Sequence, residues 1–234
     1  MANELSPIKA SELALGIYQV NSGDERRLKA FLSNRLFAQD NQTQLKGAVG
    51  GRLLRATTDG FGLCANGAGI YQNDIFLIFR GTTTKNNNAD FISDARIGIE
   101  RSKAGLPVHI GFNHTFSSML PDIRTFILEA KSRGIIHCIG HSLGGAVASL
   151  AADWVSRNTA NSTRLYTFGA PRVGTEWFAK STTASIGNTN MYRVYHRTDP
   201  VPMVALYPFM QAPYGQTGHY IYSTEPLSSG TAHS

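Results

Sequence analysis

The sequence has little of what marks a disulfide-rich, metal-dependent or membrane-spanning protein. Its 234 residues include two cysteines, Cys64 and Cys138, which exclude a disulfide framework. No spacing of cysteine, histidine and carboxylate residues is typical of metal ligands, and no cofactor is predicted. Uninterrupted apolar stretches such as Ile75–Phe79 are far shorter than the roughly 20 residues that span a bilayer.

Acidic residues are also fewer than basic residues. Lysine and arginine total 22 against 16 aspartates and glutamates, which gives a net charge of +6 and a pI near 9.4. This balance favours peripheral contact with an anionic membrane surface, and it fits a generic basic, solubilising surface equally well. Nucleic acid is not a predicted partner, because even the densest basic segment, Glu25–Lys29, is typical of the solvated face of a helix.

The first residues, Met1–Ser6, lack the basic and apolar segments of a secretory signal. The sequence therefore predicts a soluble chain made in the cytoplasm, with export by a signal-independent route as the alternative. An apolar fraction of 42% and the chain length predict one domain over residues 1–234.

Strands and helices alternate in the second half of the chain, which predicts an α/β fold with a mostly parallel central sheet and helices on both faces. The predicted strands lie at 135–139, 164–168 and 191–195, and helices are predicted at 143–157 and around Trp177. A long helix is predicted over 112–133, with Pro121 marking a kink or a junction. In the first half, helices are predicted to begin at Ser6–Pro7 and after Asp24, the second running to about Phe37. Residues 40–60 are polar and glycine-rich, with short strand-like pieces such as Leu53-Leu54.

The segment Gly140-His141-Ser142-Leu143-Gly144 joins a predicted strand to a predicted helix. This is the G-x-S-x-G pattern in the setting that a nucleophile elbow requires. The tight turn exposes the serine at a helix N-terminus, where free backbone N–H groups favour negative charge. The sequence therefore predicts Ser142 as a nucleophile and the Leu143 N–H as an oxyanion donor.

At these residues the chain resembles the class 3 lipases, the family of the fungal triacylglycerol lipases, within the α/β-hydrolase superfamily. The resemblance covers roughly residues 60 to 234. Besides the elbow it rests on five segments, which are Phe79-Arg80-Gly81-Thr82, Asp90–Asp94, Val108–Phe112, Phe168–Gly174 and His196–Pro202. It implies the α/β-hydrolase fold, a first oxyanion donor at Thr82 and a short lid over residues 83–92.

The catalytic acid and base are predicted from chain order, since triads of this fold run Ser, then Asp or Glu, then His. Asp199 follows a strand and matches the acid motif. Two histidines come after it. The resemblance favours His233 as the base, at the start of the family's C-terminal pattern, and places His219 at a strand edge. His219 remains the alternative, because a base next to a free terminus would be poorly held.

These residues predict a serine esterase or lipase that forms an acyl-enzyme on a lipid ester, with phospholipase and triacylglycerol lipase both open. A more specific version is an exported, toxin-like phospholipase that a partner protein inhibits. Two other classes compete with hydrolysis. One is an acyltransferase on the same scaffold, and the other is a non-catalytic interaction protein built on an inactive hydrolase fold.

Overall fold

The structure is a computed structural model of the chain, and it describes residues 4–49, 57–82, 98–196, 198–203 and 210–213. The α-helices are α1 (Pro7–Gly16), α2 (Glu25–Leu32), α3 (Ile110–Ala130), α4 (Leu143–Asn158) and α5 (Glu176–Ile186). The strands are β1 (Phe37–Val49), β2 (Thr57–Gly67), β3 (Ile75–Phe79), β4 (Ile99–Arg101), β5 (Pro107–His109), β6 (Ile136–His141), β7 (Thr163–Phe168), β8 (Gly174–Thr175), β9 (Met191–Val194) and β10 (Met210–Gln211).

The main sheet has six strands in the order β1-β2-β3-β6-β7-β9. The last four strands pair in parallel, while β1 and β2 add an antiparallel edge. A small antiparallel sheet in the order β10-β8-β5-β4 lies apart from it. The predicted α/β class with a mostly parallel sheet is confirmed.

Helices cover both faces of the main sheet, because its strands bury side chains on both sides. In β3, Leu77 and Phe79 enter one apolar cluster, whereas Phe76 and Ile78 enter the other. The first cluster holds the buried faces of α3 and α4, and the second holds that of α1. Such continuous burial is typical of central parallel strands.

The N-terminal helix is an integral part of this core. Ser6 caps α1 by accepting a hydrogen bond from the Lys9 N–H, and Pro7 occupies its first turn, as predicted. Leu5 is completely buried, and its carbonyl accepts a hydrogen bond from the Tyr166 hydroxyl at 2.9 Å. The segment is thus fixed to the central strands by both packing and polar contacts.

Two predictions for the first half of the chain were wrong. Helix α2 ends at Leu32 rather than near Phe37, because the chain turns at Asn34. The Asn34 side chain accepts a hydrogen bond from the Leu36 N–H within this turn. Residues 37–49 form a long edge strand where short strand-like pieces in a polar segment had been predicted. Because few of its described side chains are buried, this edge strand lacks the apolar pattern by which strands are recognised.

His137 is buried in the second apolar cluster and stacks on the Phe76 ring, although the sequence gives it no special role. Its Nε2 lies 3.1 Å from a carboxylate oxygen of Asp74. Burial lowers the pKa of His137 below its ordinary value of 6.5, and the hydrogen bond to Asp74 opposes this shift. The folded protein therefore binds this proton less readily than the unfolded chain does.

We expect the free energy of unfolding to fall as the pH drops below 6.5, because the unfolded chain then takes up the proton first. Burial also lowers the pKa of His109, which acts in the same direction. Urea unfolding at about pH 7.5 and about pH 5.5 measures the loss. In His137→Gln, which does not titrate, the loss should be smaller; an equal loss in the two proteins would contradict this role of His137.

Candidate active site

Ser142 lies in a strained turn between β6 and α4. Its backbone adopts φ 53° and ψ −128°, a conformation that residues with a side chain rarely enter. A Cβ at Gly140 would collide with the carbonyl oxygen of Gly144, so the turn can close only if position 140 has no side chain. The G-x-S-x-G sequence thus forms the predicted elbow, and the serine is its strained residue.

Replacing Ser142 by glycine should stabilise the fold relative to Ser142→Ala. Alanine keeps the Cβ that makes this conformation unfavourable, whereas glycine removes it. Relief of strain should exceed the larger conformational entropy of unfolded glycine, leaving a net gain of about 1 kcal/mol. Urea unfolding of the two inactive variants tests this; a glycine variant no more stable than the alanine variant would mean that the turn stores no strain.

Backbone contacts bring the ends of four parallel strands to one edge of the sheet. The Ser142 N–H donates to the carbonyl oxygen of Phe168 at 2.9 Å, and the Gly169 N–H donates to that of Val194 at 2.8 Å. On the other side, a Cβ placed on Gly81 would lie 2.8 Å from the Ser142 Cβ. The residues that follow β3, β6, β7 and β9 therefore meet around the serine, as ligand sites in such sheets do.

The two predicted oxyanion donors, Thr82 and Leu143, are both close to Ser142, one through Gly81 and the other as the next residue in the chain. Leu143 is the first residue of α4, so its N–H has no carbonyl partner one turn earlier in that helix. Thr82 follows Gly81, which contacts the Ser142 side chain. Among the described residues, the buried Thr82 hydroxyl oxygen makes no hydrogen bond. These contacts favour the assignment of Thr82 and Leu143 as oxyanion donors, which stays a prediction.

Asp199 lies five residues after the end of β9, at the same edge. It is 2% exposed, its N–H donates to the His196 carbonyl, and its Oδ1 accepts a hydrogen bond from the Val201 N–H at 2.9 Å. These contacts close a short turn around the carboxylate. The turn fixes the carboxylate near the strand end, where a triad acid is required.

The two candidate bases, His219 and His233, lie outside the described residues, and so does the predicted lid over 83–92. Both stay predictions. Of the other histidines, His109 caps α3, and its Nδ1 accepts a hydrogen bond from the Gly111 N–H at 3.2 Å. His109 thus has a structural role at the start of α3.

Sequence reasoning missed Tyr18. This residue lies in the short 3-10 helix Ile17–Asn21 after α1, and its hydroxyl oxygen accepts a hydrogen bond from the Gly81 N–H at 3.0 Å. The same hydroxyl lies 2.7 Å from Nδ1 of His141. No motif marks Tyr18, because its partners are far away in the sequence.

In the part of the chain that the structure describes, no group of histidine, cysteine and acidic residues could hold a metal ion. Nor is any helix within those ranges long and apolar enough to cross a bilayer. Cys64 and Cys138 are both buried free thiols.

A strained Ser142 between a parallel strand and a helix, with the buried Asp199 beyond a later strand of the same sheet, is the arrangement of the α/β-hydrolase class. Comparison with known proteins identifies a family within this class. Residues 76–209, more than half of the chain, match the family described as lipase (class 3). The chain belongs to the class 3 lipase family.

Two fungal relatives have closely similar sequences. A secreted mono- and diacylglycerol lipase A of Penicillium cyclopium is 44% identical over 137 residues, which cover 56% of this chain and 43% of that protein. The secreted mono- and diacylglycerol lipase 1 of Fusarium solani is 40% identical over 102 residues, which cover 42% of this chain and 30% of the relative. The chain thus spans less than half the length of these relatives.

Solved lipase structures share the fold. The nonglycosylated Lip2 lipase of Yarrowia lipolytica superimposes with a TM-score of 0.63 at 22% identity, over 89% of this chain and 77% of that one. The triacylglyceride lipase of Rhizomucor miehei superimposes with a TM-score of 0.62 at 21% identity, over 90% of this chain and 80% of that one. At these identities the likeness concerns the fold alone.

The predicted localisation was wrong. The sequence had been interpreted as a soluble cytoplasmic chain, with signal-independent export as the alternative, whereas four relatives are named as secreted lipases. The prediction relied only on the composition of Met1–Ser6. The composition of those six residues does not indicate whether the related lipases are secreted.

Proposed function

We propose that this chain is a serine carboxylic-ester hydrolase that releases fatty acids from acylglycerols through an acyl-enzyme on Ser142. The observation that carries the proposal is the contact between the strained elbow and the end of β3. This contact supports a site in which Ser142 is the nucleophile and the N–H groups of Thr82 and Leu143 are the oxyanion donors.

In the first half of the reaction, a neutral histidine accepts the proton of the Ser142 hydroxyl as its oxygen attacks the ester carbonyl. The carbonyl oxygen becomes an oxyanion, which the N–H groups of Thr82 and Leu143 stabilise, with the Thr82 hydroxyl as a third donor. When the intermediate collapses, the carbon–oxygen bond to the alcohol breaks and the histidine returns its proton to the leaving alkoxide. The acyl group is now esterified to Ser142.

In the second half, the histidine takes a proton from water as the water oxygen attacks the acyl-enzyme. Collapse of this second intermediate returns the proton to Ser142 and releases the fatty acid. Asp199 holds the histidine in the required tautomer and stabilises its charged form. We assign the base to His233, with His219 as the alternative.

The substrate class follows from the relatives, two of which are named as lipases of mono- and diacylglycerols. An acylglycerol is therefore the substrate that we propose first. An anionic phospholipid is the second candidate, because the net charge of +6 favours binding at a negatively charged lipid surface.

The test is release of fatty acid from emulsified monoacylglycerol, diacylglycerol and triacylglycerol and from vesicles of anionic phospholipid, with Ser142→Ala as the blank. We expect hydrolysis of the partial glycerides to be fastest. Release only from the phospholipid vesicles would favour the second candidate. Fatty-acid transfer to an added alcohol, with little free acid formed, would instead indicate an acyltransferase, and no release or transfer would contradict the proposal.

A further inference from the structure

Tyr18 connects the two segments that form the oxyanion site. Its hydroxyl contacts the Gly81 N–H at 3.0 Å and His141 Nδ1 at 2.7 Å, and these partners directly precede Thr82 and Ser142. A side chain at Gly81 would collide with the Tyr18 hydroxyl and would also crowd the Ser142 Cβ. The end of β3, the elbow and the tyrosine are therefore in direct mutual contact.

The Tyr18 hydroxyl has one proton and two lone pairs. Its oxygen accepts the hydrogen bond from the Gly81 N–H, and it shares a second hydrogen bond with His141 Nδ1. In the tautomer with the His141 proton on Nε2, the Tyr18 hydroxyl donates to Nδ1. Burial raises the pKa of Tyr18 to about 12, which keeps the hydroxyl protonated at neutral pH.

We propose that Tyr18 is a positioning residue for the oxyanion site. It holds Gly81 and His141 at a fixed separation, so that the N–H groups of Thr82 and Leu143 point at the same oxygen. It does so without touching the substrate. The inference rests on the proposed function, since it concerns the same site.

The other end of the N-terminal segment supplies matched controls. The Tyr166 hydroxyl donates to the Leu5 carbonyl at 2.9 Å, and the Tyr192 hydroxyl donates to Glu4 at 2.6 Å. Each is a tyrosine hydroxyl that fixes this segment to the sheet, as Tyr18 is. Removal of either loosens the segment but leaves the contacts of Gly81 and His141 in place.

The experiment compares Tyr18→Phe with Tyr166→Phe in the full chain. Because the phenyl ring stays in place, Tyr18→Phe should lower kcat about 10- to 100-fold, the cost of a small misplacement of catalytic groups, with KM changed less than about twofold. Tyr166→Phe should lower the unfolding midpoint and leave kcat within about twofold of wild type. Equal kcat values in the two variants would overturn the inference.

A second pair of variants tests the other partner and remains informative if Tyr18→Phe fails to fold. Asparagine at position 141 can place its Oδ1 near the position of the histidine Nδ1 and accept the same hydrogen bond, whereas leucine cannot. His141→Asn should therefore keep at least about tenfold more activity than His141→Leu. Equal activities would overturn the role of the Tyr18–His141 contact.

The rate at which a fluorophosphonate modifies Ser142 separates this inference from the proposed substrate, because the probe needs no lipid. If the wild type reacts with the probe but hydrolyses none of the lipids, the proposed function fails. The inference about Tyr18 is then decided by the probe alone. A slower reaction in Tyr18→Phe than in Tyr166→Phe supports it, and equal rates overturn it.

Discussion

Replacing Ser142 by alanine should lower the turnover of any ester substrate by about a millionfold, to the background set by the remaining binding groups. The expectation follows from the geometry of the elbow, which presents a single hydroxyl to the edge where the strand ends meet. Without that oxygen no acyl-enzyme forms. The fold should persist, because alanine differs from serine only in the hydroxyl.

The measurement is the steady-state rate on a soluble ester, with Ser149→Ala as the matched control. Ser149 is a buried serine of α4, the helix that begins directly after Ser142, and its hydroxyl donates to the Gly145 carbonyl at 2.9 Å. Its loss should reduce stability slightly and leave turnover unchanged. Appreciable turnover by Ser142→Ala would exclude the covalent mechanism.

Replacing Asp199 by asparagine should lower kcat by about ten-thousandfold. Asparagine keeps an oxygen that can accept the hydrogen bond from the Val201 N–H, so the turn around position 199 is preserved. In the proposed mechanism, the substitution removes the negative charge that orients the base and stabilises its protonated form. KM should change little, because the residue acts on the histidine and not on the bound lipid.

Asp153 is the matched control for the buried carboxylate. It is as buried as Asp199, and it joins α4 to α5 through a hydrogen bond from the Thr182 hydroxyl at 2.8 Å. Burial raises its pKa. Asp153→Asn should affect stability while kcat stays within about twofold of wild type. If both substitutions reduced kcat equally, Asp199 would have no special catalytic role.

The central part of the fold could be predicted from the sequence because its signals are local. Strand β6 is a short apolar run that leads into Gly140–Gly144, a pattern typical of a strand–turn–helix unit. Helix α3 follows its predicted position closely, although it continues through Pro121 without interruption. The elbow and its neighbouring strands were therefore predictable to within a few residues.

The N-terminal part could not be predicted in the same way, because its role depends on distant contacts. Strand β1 is an edge strand with a weak apolar pattern, and its position is set by pairing with β2. Tyr18 belongs to a short helix with no catalytic motif, and it acquires a role only when the chain brings Gly81 and His141 to it. Local sequence patterns do not contain such information.

The choice between His219 and His233 also exceeded what sequence reasoning could decide. Both follow Asp199, so chain order admits either one. The short pattern at Thr231–Ser234 favours His233 by resemblance only. Variants at these two positions, His219→Ala and His233→Ala, separate the assignments, since loss of the base should reduce kcat nearly as much as loss of Ser142.

The most direct test of the account is to treat the 234-residue chain with a fluorophosphonate and to measure its intact mass and the modified peptide. We predict one adduct, located on Ser142, and none in Ser142→Ala. An unmodified protein that is demonstrably folded, or an adduct on another residue, would contradict the assignment of Ser142 as the nucleophile.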